Sequence, residues 1–265
     1  MKHFLIVNPR SGSDSPTPDE LREAARARGI DVHFLEQSDD LARLARDSEA
    51  DVLGMAGGDG SLAAVAGVAV ERDIPFVCVP YGTRNHFARD IGLDRNDPLA
   101  ALEAFAGPER RVDVGRLGPR LFLNNVSLGL YARLVHGRER HRRRGAALAR
   151  ARALALLFQE RRGKTPFRID GEVVAARVVV VACNAYSFEL FSIGERMSMD
   201  DGLLHLYVPH GLRRVTWDER RATEFTLETP QSSLRAAIDG EPAVLRSPLT
   251  LRVEPRALRV LVPPR

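Results

Sequence analysis

The apolar stretch Asp51 to Ala56 runs straight into Gly57-Gly58-Asp59-Gly60-Ser61, after which Leu62, Val65, Ala66 and Ala69 recur at helical spacing. Glycines between a strand and a helix let backbone N–H groups approach an anion closely, and the helix N-terminus adds partial positive charge. Phosphate binding is the natural use of such a turn; a tight strand-to-helix connection with positive φ is the plainer one. Three glycines around one acid exceed what a turn requires. Asn8-Pro9-Arg10-Ser11-Gly12 follows the apolar run His3 to Val7, and Pro80-Tyr81-Gly82-Thr83-Arg84-Asn85 follows the run Ile74 to Val79. If these runs are parallel strands, all three polar turns leave the carboxyl edge of one sheet, the usual ligand edge of α/β folds. No Gly-Lys-Ser/Thr ending and no Gly-x-Gly-x-x-Gly pattern follows them, which argues against a P-loop enzyme and an ordinary Rossmann dehydrogenase.

Other reactive side chains read more plainly. Cys78 and Cys183 sit inside apolar β-branched runs without metal-ligand spacing, as buried reduced thiols do. His86, His136 and His141 show no paired metal spacing. The tripeptide Asp-Gly-Glu occurs at Asp170-Gly171-Glu172 and again at Asp239-Gly240-Glu241. Asp-Gly between strand-like runs is a strong hairpin signal, and the first copy is read as a turn.

The elements that must position these residues fall into two regimes. Up to about Arg110 strand and helix alternate. Thr17-Pro18-Asp19-Glu20 opens a helix with a capping box, Ile30 to Leu35 reads as a strand, Ser38 caps a helix carrying Leu41 and Leu44, and Asp97-Pro98 opens another with Leu102 and Phe105. Such alternation implies right-handed crossovers and a mainly parallel sheet. Beyond Arg110 come short strands punctuated by Gly and Pro: Arg111 to Leu117 and Leu121 to Leu128 as a hairpin, then Val173 to Ala182, Leu203 to Val208, Ala222 to Leu227, Leu234 to Ile238, Leu249 to Val253 and Leu258 to Val262. The expected fold class is α/β plus all-β: a Rossmann-like parallel domain over residues 1–112 and an antiparallel β-sandwich-like domain over 113–265, the last strand having the option of returning to the first domain. The cleft between two such units is where a ligand is expected.

Composition sets the frame for these readings. The chain has 265 residues, 44% hydrophobic and 28% charged, which excludes disordered, collagen-like and disulfide-scaffold classes. The nearly apolar stretch Val173 to Cys183 falls far short of the roughly 20 residues that cross a bilayer, and the apolar run near the N-terminus is too short for a secretory signal. A cytoplasmic protein is the default. Net charge is +4, but Arg133 to Arg162 holds ten arginines against Glu139 and Glu160, leaving −4 for the rest. A local basic block points to an anionic partner there rather than to nucleic acid. It leads into a helical pattern with Leu148, Leu154, Leu157 and Phe158, which either docks on anionic lipid headgroups or lies as a solvated helix over the β-domain.

With these motifs in order, the chain resembles the diacylglycerol kinase catalytic family, in particular its soluble bacterial lipid-kinase branch, related to sphingosine kinases and more distantly to NAD kinases. Asn8-Pro9-x-Ser11-Gly12 resembles the first phosphate loop and Gly57-Gly58-Asp59-Gly60-Ser61 the GGDGT signature. Pro80-x-Gly82-Thr83-x-Asn85-x-Phe87-Ala88-Arg89 is similar to the third motif, the most specific of the set; Asn125-x-Ser127-x-Gly129-x-Tyr131-Ala132, Asp200-Asp201-Gly202-Leu203-Leu204 and Asp239-Gly240-Glu241 follow in family order. The resemblance implies ATP on the α/β domain and transfer of its γ-phosphoryl group to a lipid hydroxyl. Nucleotide contacts are implied for Asn8, Pro9, Arg10, Ser11, Gly12, Gly57, Gly58, Asp59, Gly60, Ser61, Thr83 and Asn85. A catalytic role is implied for Asp59, for Glu241 as proton acceptor and for Asp239 in a magnesium–water network. A structural Mg2+ site is implied at Ser198, Asp201 and Leu203, an alternative to a plain Asp-Gly turn. The implied partners are a lipid substrate and an anionic membrane surface at the inner face, met through Arg138 to Arg152; oligomeric state stays open, a homodimer included. Where the family commonly has Asn and Glu after its glycine signature, this chain has Ala63 and Ala64. That departure keeps a second reading alive, a catalytically degenerate binding protein of the same fold. A third, NAD kinase activity, shares the glycine loop but explains the motif from Thr83 to Arg89 poorly.

Overall fold

The computed structural model describes residues 1–11, 16–82, 85–129, 164–189, 192–209 and 217–264. In the N-terminal part β1 (His3–Val7), β2 (Ile30–Phe34), β3 (Val52–Gly57) and β4 (Phe76–Pro80) pair in parallel in the order β2-β1-β3-β4. Both β3 and β4 are buried along their whole length, which is why they read as unbroken apolar runs rather than alternating ones. The helices α1 (Pro18–Arg26), α2 (Leu41–Asp47), α3 (Asp59–Glu71) and α4 (His86–Asp90) connect or follow these strands. Thr17 and Glu20 form the expected capping box on α1, an arrangement worth about 1 kcal/mol. The cap of α2 is Asp40 rather than Ser38: its side chain accepts from the backbone N–H of Arg43. α3 is apolar nearly all round because it lies between the sheet and later strands, burying Leu62, Val65, Ala66 and Ala69.

The helix that Asp97-Pro98 opens in the sequence pattern is a 3-10 helix at Ala100–Ala106, after which the described chain continues as strands. They are β5 (Glu109–Leu117), β6 (Arg120–Phe122), β7 (Asn125–Gly129), β8 (Thr165–Ile169), β9 (Glu172–Ala176), β10 (Val178–Cys183), β11 (Tyr186–Glu189), β12 (Ser192–Arg196), β13 (Leu204–Pro209), β14 (Trp217–Ala222), β15 (Glu224–Glu228), β16 (Ser233–Ile238), β17 (Glu241–Arg246) and β18 (Leu249–Leu261). One sheet runs β14-β13-β10-β7-β16-β17; β15, β8 and β9 extend the other, beyond β18. Their facing sides bury Phe122, Val126, Phe167, Val181, Leu206, Phe225 and Leu251 in one core, the β-sandwich of the expected fold class.

β18 belongs to both halves of the molecule. Its first part pairs with β15, Val260 pairs in parallel with Phe76 of β4, and β5 runs antiparallel beside it across a bulge between Glu254 and Leu258. Arg256 in that bulge has φ 51°, and its N–H donates to Asp113 Oδ1 at 2.7 Å. Leu121 to Leu128, expected as one strand, is broken at Leu123 and Asn124: β6 pairs with β5 in one sheet, whereas β7 pairs with β10 and β16 in the other. The break turns three successive backbone N–H groups away from any ladder. Another group must accept them.

Candidate functional site

A cleft of about 700 Å³ opens between the two halves. Its walls include Asn8, Arg10, Ser11, Gly58, Gly60 and Ser61 on the parallel-sheet side, and Ile238, Asp239 and Glu241 on the sandwich side. The first two polar turns and the C-terminal acidic tripeptide therefore share one opening.

The parallel-sheet wall is built by close backbone approach. Asn8 continues β1, its N–H donating to Ala56 O at 2.8 Å, and its Nδ2 reaches Ser61 Oγ at 3.4 Å. A Cβ on Gly82 would stand 2.7 Å from Gly58 Cα and 3.0 Å from Gly58 N, so the third loop lies directly on the glycine turn. Gly58 is the N-cap of α3 and supplies no side-chain cap, and a Cβ there would meet nothing within 4 Å. With no cap from the N-cap residue itself, the first N–H groups of α3 call for another acceptor, a role that suits a phosphate. Asn85 adopts the left-handed conformation at φ 48°, donates to Gly82 O at 2.8 Å, and keeps its Oδ1 buried without a hydrogen-bond partner. Ala63 and Ala64 line the cleft further along α3.

Asp59 is buried and occupied: Oδ2 accepts from His86 N at 3.3 Å, Oδ1 from Phe87 N at 3.2 Å and from Asn124 Nδ2 at 3.2 Å. It ties the start of α3 to the start of α4 and to the break between β6 and β7.

On the sandwich wall Asp239 and Gly240, at φ 49° and 82°, form a tight hairpin between β16 and β17. Asp170 and Gly171 form the same turn at φ 49° and 88°, yet Asp170 Oδ1 only accepts from Thr226 N at 2.8 Å. Asp239 instead accepts the three N–H groups freed by the strand break: Leu123 N at 2.8 Å, Asn124 N at 2.7 Å and Asn125 N at 3.0 Å. Its carboxyl is pushed up to about 7, chiefly by burial and further by the Asp59 charge, against the downward pull of those three N–H groups. Glu241 reaches across to α3. An ideal Cβ on Gly60 would overlap its Cγ and lie 3.1 Å from its Cδ and 3.3 Å from Oε1.

The loop proposed for Mg2+ is organised differently. Asp201 Oδ1 accepts from Asn184 Nδ2 at 2.6 Å and Leu203 N at 3.1 Å; Oδ2 has Ala185 N and His205 Nε2, both at 3.3 Å. Three chain N–H groups therefore already donate to that carboxylate. Ser198 Oγ is bonded to Asp200, and the carbonyl of Leu203 accepts from Asn184 N at 3.0 Å. Among the described residues no group of three or more His, Cys, Asp or Glu side chains could hold a metal ion. A Mg2+ ion at this loop would be held by the carbonyls of Ser198 and Leu203 and by the Asp201 carboxylate, and no step is routed through one there.

Gly12 and Thr83 lie outside the described residues, as does the basic block from Arg133 to Arg162. Cys78 and Cys183 are buried free thiols, both raised by burial and so inert. Sequence patterns gave no sign of Asn124 or Arg196. Arg196 is a fully buried arginine that donates to Leu123 O and Asn124 Oδ1, both at 2.7 Å. It also pairs with the buried Asp90 at 2.7 Å; breaking such a pair typically costs about 3–5 kcal/mol. No local pattern marks either residue.

Residues 2–117 match the model of the diacylglycerol kinase catalytic domain. A probable lipid kinase YegS-like protein of Pseudomonas fluorescens is 37% identical over 114 residues, covering 40% of this chain and only 38% of that protein. Another, from Chromohalobacter salexigens, is 29% identical over 223 residues, 77% of this chain and 70% of its own length. A diacylglycerol kinase of Staphylococcus epidermidis is 33% identical over 47% of this chain and 42% of its own. In three dimensions a diacylglycerol kinase from Bacillus anthracis superposes with a TM-score of 0.74 at 19% identity, over 98% of this chain and 96% of that one. The polar turns at the edge of the parallel sheet and the strands that carry them lie within the segment that matches, residues 2–117, and the chain as a whole has the fold of that bacterial diacylglycerol kinase.

Proposed function

We propose that the protein is an ATP-dependent lipid kinase, transferring the γ-phosphoryl group to the hydroxyl of diacylglycerol or a similar lipid alcohol. Its relatives named lipid kinase and diacylglycerol kinase support the broad activity. One observation carries the reading: the uncapped N-terminus of α3 and the Glu241 carboxyl group meet in a single cleft, at Gly60.

Phosphoryl transfer depends on in-line positioning, stabilisation of phosphate charge, and a group that takes the hydroxyl proton. The N-terminal N–H groups of α3 and the Arg10 side chain supply the charge on one wall. Glu241 takes the proton from the lipid hydroxyl as its oxygen bonds to the γ-phosphorus and the bond to the β–γ bridging oxygen breaks, releasing ADP. Asp239 and Asp59, each holding several N–H donors, keep the two walls in register. Mg2+ enters this scheme only with the triphosphate, as part of the substrate. The basic segment Arg138 to Arg152 is proposed to meet an anionic membrane surface from which the lipid is drawn.

A second reading, a nucleotide- or lipid-binding regulator without turnover, is favoured by Ala63 and Ala64, which put methyl groups on the cleft wall. Incubation with labelled ATP, Mg2+ and a mixed lipid extract, followed by mass spectrometry, separates the two. A phosphorylated lipid supports the kinase. Calorimetric binding of Mg-ATP with no product from any lipid supports the regulator.

A further inference from the structure

Arg196 ends β12 with its side chain fully buried, its guanidinium 5.8 Å from the ring centroid of Phe87 and 5.5 Å from that of Tyr186. Its Nε donates to Asp90 Oδ2, its Nη1 to Leu123 O and its Nη2 to Asn124 Oδ1, each at 2.7 Å. Neutralising Asp90 does not require it, since Arg89 already pairs with the other oxygen of that carboxylate at 2.7 Å. Two of its three contacts are to the break between β6 and β7.

Those two contacts dictate what the break presents to the cleft. An amide side chain has one accepting and one donating end. With the Asn124 oxygen taken by Arg196, its NH2 group is left facing Asp59, at 3.2 Å from Oδ1. The peptide joining Leu123 to Asn124 is held the same way: its carbonyl accepts from Arg196 while its N–H donates to Asp239 Oδ1 at 2.7 Å. A peptide polarised by a cation on one side is a stronger donor on the other.

We infer that Arg196 is a positioning residue for the reaction, orienting Asp59 and Asp239 together through Asn124. The inference rests on the cleft being the kinase site. Arg196 touches neither wall's reacting groups; it acts through the amide and the peptide of one neighbour.

The test is a double-mutant cycle on the full chain with Arg196→Met, Arg196→Lys and Asn124→Ala, read in two ways. By turnover, Arg196→Met lowers kcat by at least about tenfold while the affinity for ATP stays within about twofold, because the lost interaction aligns the reacting groups rather than binding nucleotide. In the Asn124→Ala background the same change has little further effect on kcat. Arg196→Lys keeps the charge but cannot reach three acceptors at once, and behaves like Met in kcat while folding more readily. By NMR, the Asn124 side-chain amide, identified by its disappearance in Asn124→Ala, exchanges slowly in the wild type and rapidly in both Arg196 variants. Turnover of either Arg196 variant within about twofold of wild type, or kcat effects that simply multiply in the cycle, overturn the inference. So does an amide left unchanged in both. The amide readout needs no turnover: an inactive wild type with a protected Asn124 amide would sink the kinase reading alone.

Discussion

The Glu241 side chain lies in the space that a β-carbon on Gly60 would occupy. The glycine is therefore demanded by a contact from the other half of the molecule, beyond any need of the local turn. The contact brings the turn proposed to bind phosphate against the acid that is proposed to take the proton.

Gly60→Ala should consequently separate folding from function. Alanine suits the first turn of a helix slightly better than glycine, so stability should change by less than about 1 kcal/mol. The new methyl group must displace Glu241, and turnover should fall at least about tenfold with ATP binding retained. Thermal melts alongside kinetics check this.

Glu241→Gln keeps the shape and removes the proton acceptor. The expected loss in kcat is about 100-fold or more, with the melting temperature and the calorimetric affinity for Mg-ATP little changed. Full turnover in this variant would show that another group takes the proton.

Gly82→Ala should behave in the opposite sense to Gly60→Ala. Its β-carbon would meet Asn85 Oδ1 at 2.9 Å and, closer still, the backbone Cα of Gly58, which cannot swing aside. The two loops must part, at a cost of about 1–3 kcal/mol, and nucleotide affinity should fall with stability. Denaturant titration and calorimetry on one preparation would show both losses.

Asp239 predicts a pH dependence of stability. Its carboxyl is raised by burial to about 7, so its share of stability is complete below the unfolded-state value and is lost as pH rises through about 7. Between about pH 6 and 8 that share amounts to about 1.4 kcal/mol. Denaturant midpoints should fall over this range in the wild type, and Asp239→Asn should flatten that slope. Equal slopes in both proteins would place the titration elsewhere.

Much of this architecture can be read from residue patterns, and the exceptions share a cause. β3 and β4 are legible because burial on both faces leaves unbroken apolar runs, and α1 because Thr17 and Glu20 cap it. β14 is not, since Trp217-Asp218-Glu219-Arg220-Arg221 forms a polar edge strand held by β13. β18 reads as two strands because Glu254-Pro255-Arg256 interrupts its apolar alternation at the bulge. In the site, glycine turns advertise themselves through backbone geometry. Asn124 and Arg196 do not, because their role exists only once β6, α4 and β12 have been brought together.

The 13-residue strand β18, paired with β5 along both halves, also limits how the protein can move. A ladder shared by two cores leaves no hinge about which they could swing as independent bodies. Admission of a bulky substrate must then fall to the loops that border the cleft, and denaturation should proceed as one cooperative event. Truncation before Leu258 would take a buried strand segment out of the N-terminal sheet, so the first half is not expected to survive as a separate fragment.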